Sequence, residues 1–150
     1  MYRSILAGIF ALFTVILVSC GSPQAKAPPT YSAEQISQLQ SSASRLVGMR
    51  DRMDELGKLI EAKNWPYVDM FIHGPLGTLR EQTSRISRNL LLPSEQQNAA
   101  QMAKDLFNHL EDIDAAANAD DYYQAVRNYN ESLADFDAFL NLIPSADSAS

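Results

Sequence analysis

The sequence predicts an all-α protein, an up-down-up-down four-helix bundle whose second helix is kinked or interrupted near Gly74-Pro75. Three observations carry that prediction. Four long stretches between Ser32 and Ile143 place apolar residues at the three-four spacing of an amphipathic helix. The connections between them are short, so each helix can pack on its own neighbour. No stretch alternates polar and apolar residues in the manner of a half-buried strand. A homodimeric coiled coil is the competing architecture, and the short connections disfavour it.

The first helix starts near Ser32, where Ser32 and Gln35 form a capping-box pattern. Ile36, Leu39, Ala43, Leu46, Met53 and Ile60 make its stripe, widened by Val47, Leu56 and Leu59. Arg50 and Gly57 fall on stripe positions, so packing there should be imperfect. The helix should end near Lys63. The second begins at Asn64-Trp65-Pro66, with Asn64 as cap and Pro66 in the first turn. Val68, Ile72, Leu79, Thr83, Ile86 and Leu90 hold the helical period, interrupted at His73-Gly74-Pro75-Leu76-Gly77. Pro75 cannot donate to the carbonyl four residues back and clashes with it. Because the apolar phase continues, two halves of one bent helix are expected.

Leu92-Pro93 is a turn, and Ser94 with Gln97 repeats the capping signal for a third helix ending around Ala117 to Ala119. Its stripe is Ala99, Met102, Leu106, Leu110 and Ile113. Asp120 or Asp121 caps the fourth helix, with Tyr122, Val126, Tyr129, Leu133, Phe136, Leu140 and Ile143 on its apolar face. Pro144 stops it. The aromatic residues of this helix read as core with tyrosine hydroxyls at the rim.

Ahead of the bundle, Met1-Tyr2-Arg3-Ser4 and the apolar run Ile5 to Val18 precede Leu17-Val18-Ser19-Cys20, a Leu-x-small-Cys pattern. It reads as a bacterial lipoprotein leader cut between Ser19 and Cys20, with the thiol carrying diacylglycerol and further acyl chains such as palmitate. An apolar run of 14 residues falls short of the ~20 that span a bilayer as a helix. Two or more acyl chains would hold the protein stably at a membrane. The expected organisation is a removed leader at 1–19, a lipidated cysteine and Pro-rich linker at 20–31, the bundle at 32–143 and a flexible tail at 144–150.

Cys20 is the only cysteine, which excludes an intramolecular disulfide framework and, once lipidated, a cysteine nucleophile. There is no nucleophile elbow, phosphate loop or His-Glu-x-x-His. The Glu-x-x-His pairs of di-iron bundles are absent, because Met70 and Leu106 stand three before His73 and His109. Haem held by His109 and a methionine such as Met49 is conceivable only on composition. The sequence therefore predicts a non-enzyme with no resident metal or cofactor.

The formal net charge is −6, or −7 once Arg3 leaves with the leader. That argues against nucleic-acid binding, which needs basic charge to neutralise phosphates. The charge is unevenly spread: residues 20–90 carry +2 and residues 91–150 carry −9. Arg45, Arg52, Arg80, Arg85 and Arg88 are candidate docking residues for an acidic partner. The competing interpretation is a solvated face balanced by the acidic helices of the same bundle.

Trp65, followed by Ile72-His73-Gly74-Pro75-Leu76-Gly77, resembles the signature of the PsbQ family, the extrinsic subunits of photosystem II. Leu133 to Leu140 is similar to that family's last helix, and the lipobox with its Pro-rich linker resembles the family's cyanobacterial lipoprotein branch. The resemblance implies a lipid-anchored bundle on the lumenal side of the thylakoid membrane. It implies docking to photosystem II through an inner-antenna chlorophyll protein and the manganese-stabilising extrinsic protein. It implies support of water oxidation at the manganese–calcium cluster, with retention of calcium and chloride and no chemistry of its own. Beside the resemblance, Gly74 and Gly77 permit close backbone approach, Pro75 sets the bend, and His73 is expected to bond a backbone group that the proline frees. Two other functions fit the residues less well: an unrelated envelope lipoprotein acting as a helical scaffold, and a metal- or haem-binding bundle.

Overall fold

The computed structural model describes residues 29–145. The leader, the Ser19-Cys20 cleavage and lipidation point and most of the linker lie outside those residues, as do positions 146–150. Among the described residues there are five helices: α1 (Ala33–Glu61), α2 (Trp65–His73), α3 (Leu79–Asn89), α4 (Pro93–Asn118) and α5 (Tyr122–Asn141). No strand occurs among the described residues. α2 and α3 together run back along α1, which makes the architecture an up-down-up-down four-helix bundle. α1 and α4 each pack against α2, α3 and α5, and the diagonal pairs do not meet. None of these helices is long and apolar enough to cross a membrane.

The helix starts follow local chemistry. Ser32 caps α1 through a complete box: its hydroxyl accepts from the Gln35 amide at 3.1 Å, and the Gln35 side chain accepts from the Ser32 amide at 2.9 Å. Asp121 caps α5, accepting from the Gln124 amide at 3.1 Å. Two expected caps differ. Asn64 precedes α2 but its side chain makes no capping bond. α4 opens one residue before Ser94: Pro93 occupies the first turn, Leu92 is the cap position, and the Glu95 carboxylate accepts from the Leu92 amide at 3.1 Å. Proline's preset φ and missing donor suit that place better than a serine start one residue later.

The core fills the space between the helices. Leu46, Met53, Leu56 and Ile60 of α1 are fully buried, as are Val68, Leu79, Ile86, Leu106, Ile113, Phe136 and Phe139. Each such side chain contributes on the order of 1.5–3 kcal/mol over its exposed state. Val47, expected at the edge of the stripe, faces solvent. In α5 the most deeply buried line is Ala125, Asn128, Ser132, Phe136 and Phe139, while Tyr122, Val126, Tyr129, Leu133 and Leu140 are half-buried against it. Small residues let α5 approach α4 closely. Four of the buried polar side chains spend their donors on their own helices: Thr83 on Leu79 O, Ser87 on Thr83 O, Ser132 on Tyr129 O and Asn128 on Gln124 O. Gly57 meets α5 tightly. A Cβ there would lie 2.7 Å from the Tyr129 hydroxyl oxygen, which donates to Met53 O at 3.1 Å.

Both ends of the bundle are tied. At one end Lys63 and Asp120 adopt left-handed conformations (φ 52° and 56°) that reverse the chain after α1 and α4. The Lys63 ammonium sits 5.1 Å from the Tyr122 ring centre and joins the two turns. At the other end Tyr31 holds the segment before α1 to the α3–α4 turn. Its hydroxyl donates to Glu95 Oε2 at 2.6 Å and accepts from the Leu91 amide at 2.9 Å. Gln40 reaches the Pro144 carbonyl beside it. Between the ends, Arg50 grips Asp137 with two bonds of 2.7 and 2.9 Å, linking α1 to α5.

Burial first, and then the hydrogen bond to Glu95, raise the Tyr31 pKa above the ordinary 10.0. Folding thus favours the protonated phenol. Its contribution is whole below pH 10.0 and is lost as pH rises through the folded-state value. Tyr31→Phe should cost about 1–2 kcal/mol at neutral pH and flatten the alkaline limb of a Tm-against-pH curve. Tyr129, also raised chiefly by burial, should keep the remainder of that limb. An unchanged neutral Tm would show that the bridge contributes nothing.

Candidate functional site

The PsbQ-like motif forms the break between α2 and α3. The chain does not bend as one helix; it leaves α2 at His73, turns through Gly74 to Thr78 and starts again at Leu79. Pro75 has no amide to continue the ladder. The turn closes on itself instead: Gly74 N–H bonds Met70 O at 2.9 Å, Gly77 N–H bonds Gly74 O at 3.0 Å and Leu79 N–H bonds Leu76 O at 2.9 Å. Leu76 is driven into the core. Any side chain on the two glycines would meet backbone. A Cβ on Gly74 would lie 2.8 Å from Met70 O, and one on Gly77 would lie 2.5 Å from His73 O. Trp65, at the start of α2, is half-buried against the core.

Where the helix stops, a cleft of about 250 Å³ opens against α4. Ile72, Leu76, Phe107 and Leu110 supply its apolar lining. His73, Arg80, Glu111 and Asp114 supply its polar groups. His73 does not bond a freed backbone carbonyl as expected. Its Nε2 faces two carboxylates, at 3.4 Å from Asp69 and 3.6 Å from Asp114. One ligand atom from each of the three lies within 4.8 Å of the others, a spacing that could hold a metal ion. Asp114 Oδ1 is buried and has no hydrogen-bond partner.

Arg80 spans the middle of this face. Its guanidinium lies 4.2 Å from the Phe107 ring centre and bonds Glu111 at 3.1 Å. Beyond Arg80 a second groove of about 310 Å³ continues between α3 and α4. Ser84, Ser87, Ala100 and Ala103 keep it shallow, and Arg80, Arg88 and Lys104 line it with positive charge. The two hollows share Arg80 and Phe107, so they form one continuous strip. It is negative by the helix break and positive toward the end of α3.

The five candidate arginines do not form one face. Arg52 pairs with Glu55 at 3.1 Å and covers the Phe71 ring. Arg85 pairs with Glu81 at 3.1 Å and lines a different hollow, between α1 and α3, with Gln35, Gln38 and Asn89. Arg45 is exposed on α1. Only Arg80 and Arg88 share a groove. Lys104 completes it, and sequence reasoning missed that role because Lys104 belongs to the acidic half of the chain. Asp69 was visible as a helical neighbour of His73, four residues away; Asp114, 41 residues later in sequence, had no local signal. His109, the other histidine, is engaged by Asp135 at 2.8 Å, across α4 and α5. What the strip offers chemically is charge and apolar surface for binding.

Two comparisons bear on this arrangement. A family described as "PsbQ: Oxygen evolving enhancer protein 3" matches residues 3–144. The chain is also similar to the protein named "CyanoQ" from Synechocystis sp. (strain ATCC 27184 / PCC 6803 / Kazusa), 47% identical over 145 residues, which is 96% of this chain and 97% of that one.

Backbone oxygens cannot move aside as a side-chain tip can. Gly77→Ala should therefore destabilise the fold by about 1–3 kcal/mol, read as a lower Tm with helical circular dichroism retained. An unchanged Tm would mean that the turn tolerates a Cβ and the glycine is not sterically required.

Proposed function

The chain belongs to the PsbQ family, and from that premise we propose that it is a non-catalytic extrinsic subunit of photosystem II. It works on the lumenal side of the cyanobacterial thylakoid membrane, anchored by lipid on Cys20. It stabilises the complex, supports water oxidation at the manganese–calcium cluster and helps retain calcium and chloride, without holding a cofactor itself. Its contacts are an inner-antenna chlorophyll protein and the manganese-stabilising extrinsic protein. The observation that carries this reading is the family relationship across nearly the whole chain, helix-break motif included.

Docking by cations keeps its place in the proposal with a narrower set of residues. Arg88 and Lys104, with Arg80 at their edge, carry the positive charge toward an acidic surface of the complex. Arg45 and Arg85 lie nearer α1 and act at its margin; Arg52 is spent within the bundle. Exposed charges of this kind act more on association rate than on final affinity. The acyl chains on Cys20 would hold the bundle near the complex and raise its effective concentration there.

Photosystem II purified from cells lacking the gene should evolve oxygen more weakly under calcium or chloride limitation than that from the parent strain; equal performance would count against the proposed role. Charge reversal at Arg88 and Lys104 should weaken rebinding to depleted photosystem II membranes roughly tenfold, mostly through slower and less salt-sensitive association. Cys20→Ser should abolish incorporation of labelled palmitate and release the protein from membranes. Retention of the label would refute lipidation at that residue.

A further inference from the structure

The negative end of the strip is not accounted for by the proposed cationic docking. Three carboxylates, Asp69, Glu111 and Asp114, surround the cleft at the helix break against the single cation Arg80. Arg80 is engaged elsewhere, bonded to Glu111 and stacked on the Phe107 ring. His73 stands at 3.4 and 3.6 Å from Asp69 and Asp114, longer than a normal N–H···O bond. Asp114 Oδ1 is shielded from water with no donor, and an acceptor in that state costs free energy. Beside these carboxylates the cleft is apolar, lined by Leu76 and Phe107. Met70, one helical turn before His73, is 62% exposed.

Resting on the docking role above, we propose that this face binds its partner protein in one direction only. A lysine or arginine of the partner enters between Asp69 and Asp114 and pairs with the exposed oxygens of both carboxylates. An apolar side chain beside it fills the cleft over Leu76 and Phe107. Acidic groups of the same partner surface lie against Arg88 and Lys104. Lys104 and Asp114 lie ten residues apart on α4, so the partner's acidic and basic groups are separated by about 15 Å along the groove. A partner presented backwards would set like charges together at both ends, which costs more than either contact gains.

The test is rebinding of the mature chain to photosystem II membranes depleted of it, measured by co-sedimentation. Asp69→Asn, Asp114→Asn and Glu111→Lys should each weaken binding by about tenfold or more, with Lys58→Glu, on another face, as the control. Asp69 and Glu111 are exposed, so their variants report on binding even if the half-buried Asp114→Asn melts early by circular dichroism. Wild-type affinity in the Asp69 and Glu111 variants would overturn the inference. If Arg88→Glu and Lys104→Glu weaken binding in the same experiment, the broader docking role survives that failure. Absence of binding by the wild-type chain would remove both. Binding that disappears with EDTA and returns with zinc alone would place a cation between the carboxylates, and would also overturn the inference.

Discussion

The contact between Gly77 and the carbonyl of His73 is the constraint on which the rest of this bundle depends. With no room for a Cβ there, the chain can turn tightly after α2, bury Leu76 and begin α3 at once on nearly the same course. A looser turn would carry α3 out of line with α2, and the two short helices could no longer cover the length of α1. The break leaves the core intact, since Val68, Phe71, Leu76, Leu79 and Ile86 remain buried across it. What changes is the surface. Helix gives way to turn just where α4 passes, so a hollow opens instead of a closed seam.

That hollow organises the electrostatics. By sequence position the charge divides between an early basic and a late acidic half. In space the division is different. Arg80 and Arg88 from the early half meet Lys104 from the late half, while Asp69 from the early half meets Glu111 and Asp114 from the late one. The helix pairing mixes the two halves and sorts charge along the bundle axis. Several of the remaining ions are spent internally, as with Arg50 and Asp137 or Arg85 and Glu81.

Much of the fold was legible because the signals are local. Ser32 with Gln35, Asp121, and the three-four spacing of α1 and α4 each depend on residues within a few positions. The α4 cap was misplaced by two residues because Pro93 and Glu95 together define a better start than Ser94. The α5 stripe was read from its large residues, whereas the closest packing uses Ala125 and Ser132, which hydropathy barely registers. The candidate site was legible only in part. The glycines and Pro75 announced the turn, but no sequence pattern says which face of α3 meets α4. Arg88 could be separated from Arg85, and Lys104 and Asp114 brought into view, only once the neighbours were known.

Tyr31 has a mechanical meaning as well. Its hydroxyl grips the end of α3 and the beginning of α4 together, directly before the chain enters α1. A pull on the segment ahead of it is shared among several helix ends at once and does not peel α1 away turn by turn. The bond also fixes residues 29–31 at the end of the bundle opposite the Lys63 and Asp120 turns, so a pull applied there runs along the long axis and not across a flank.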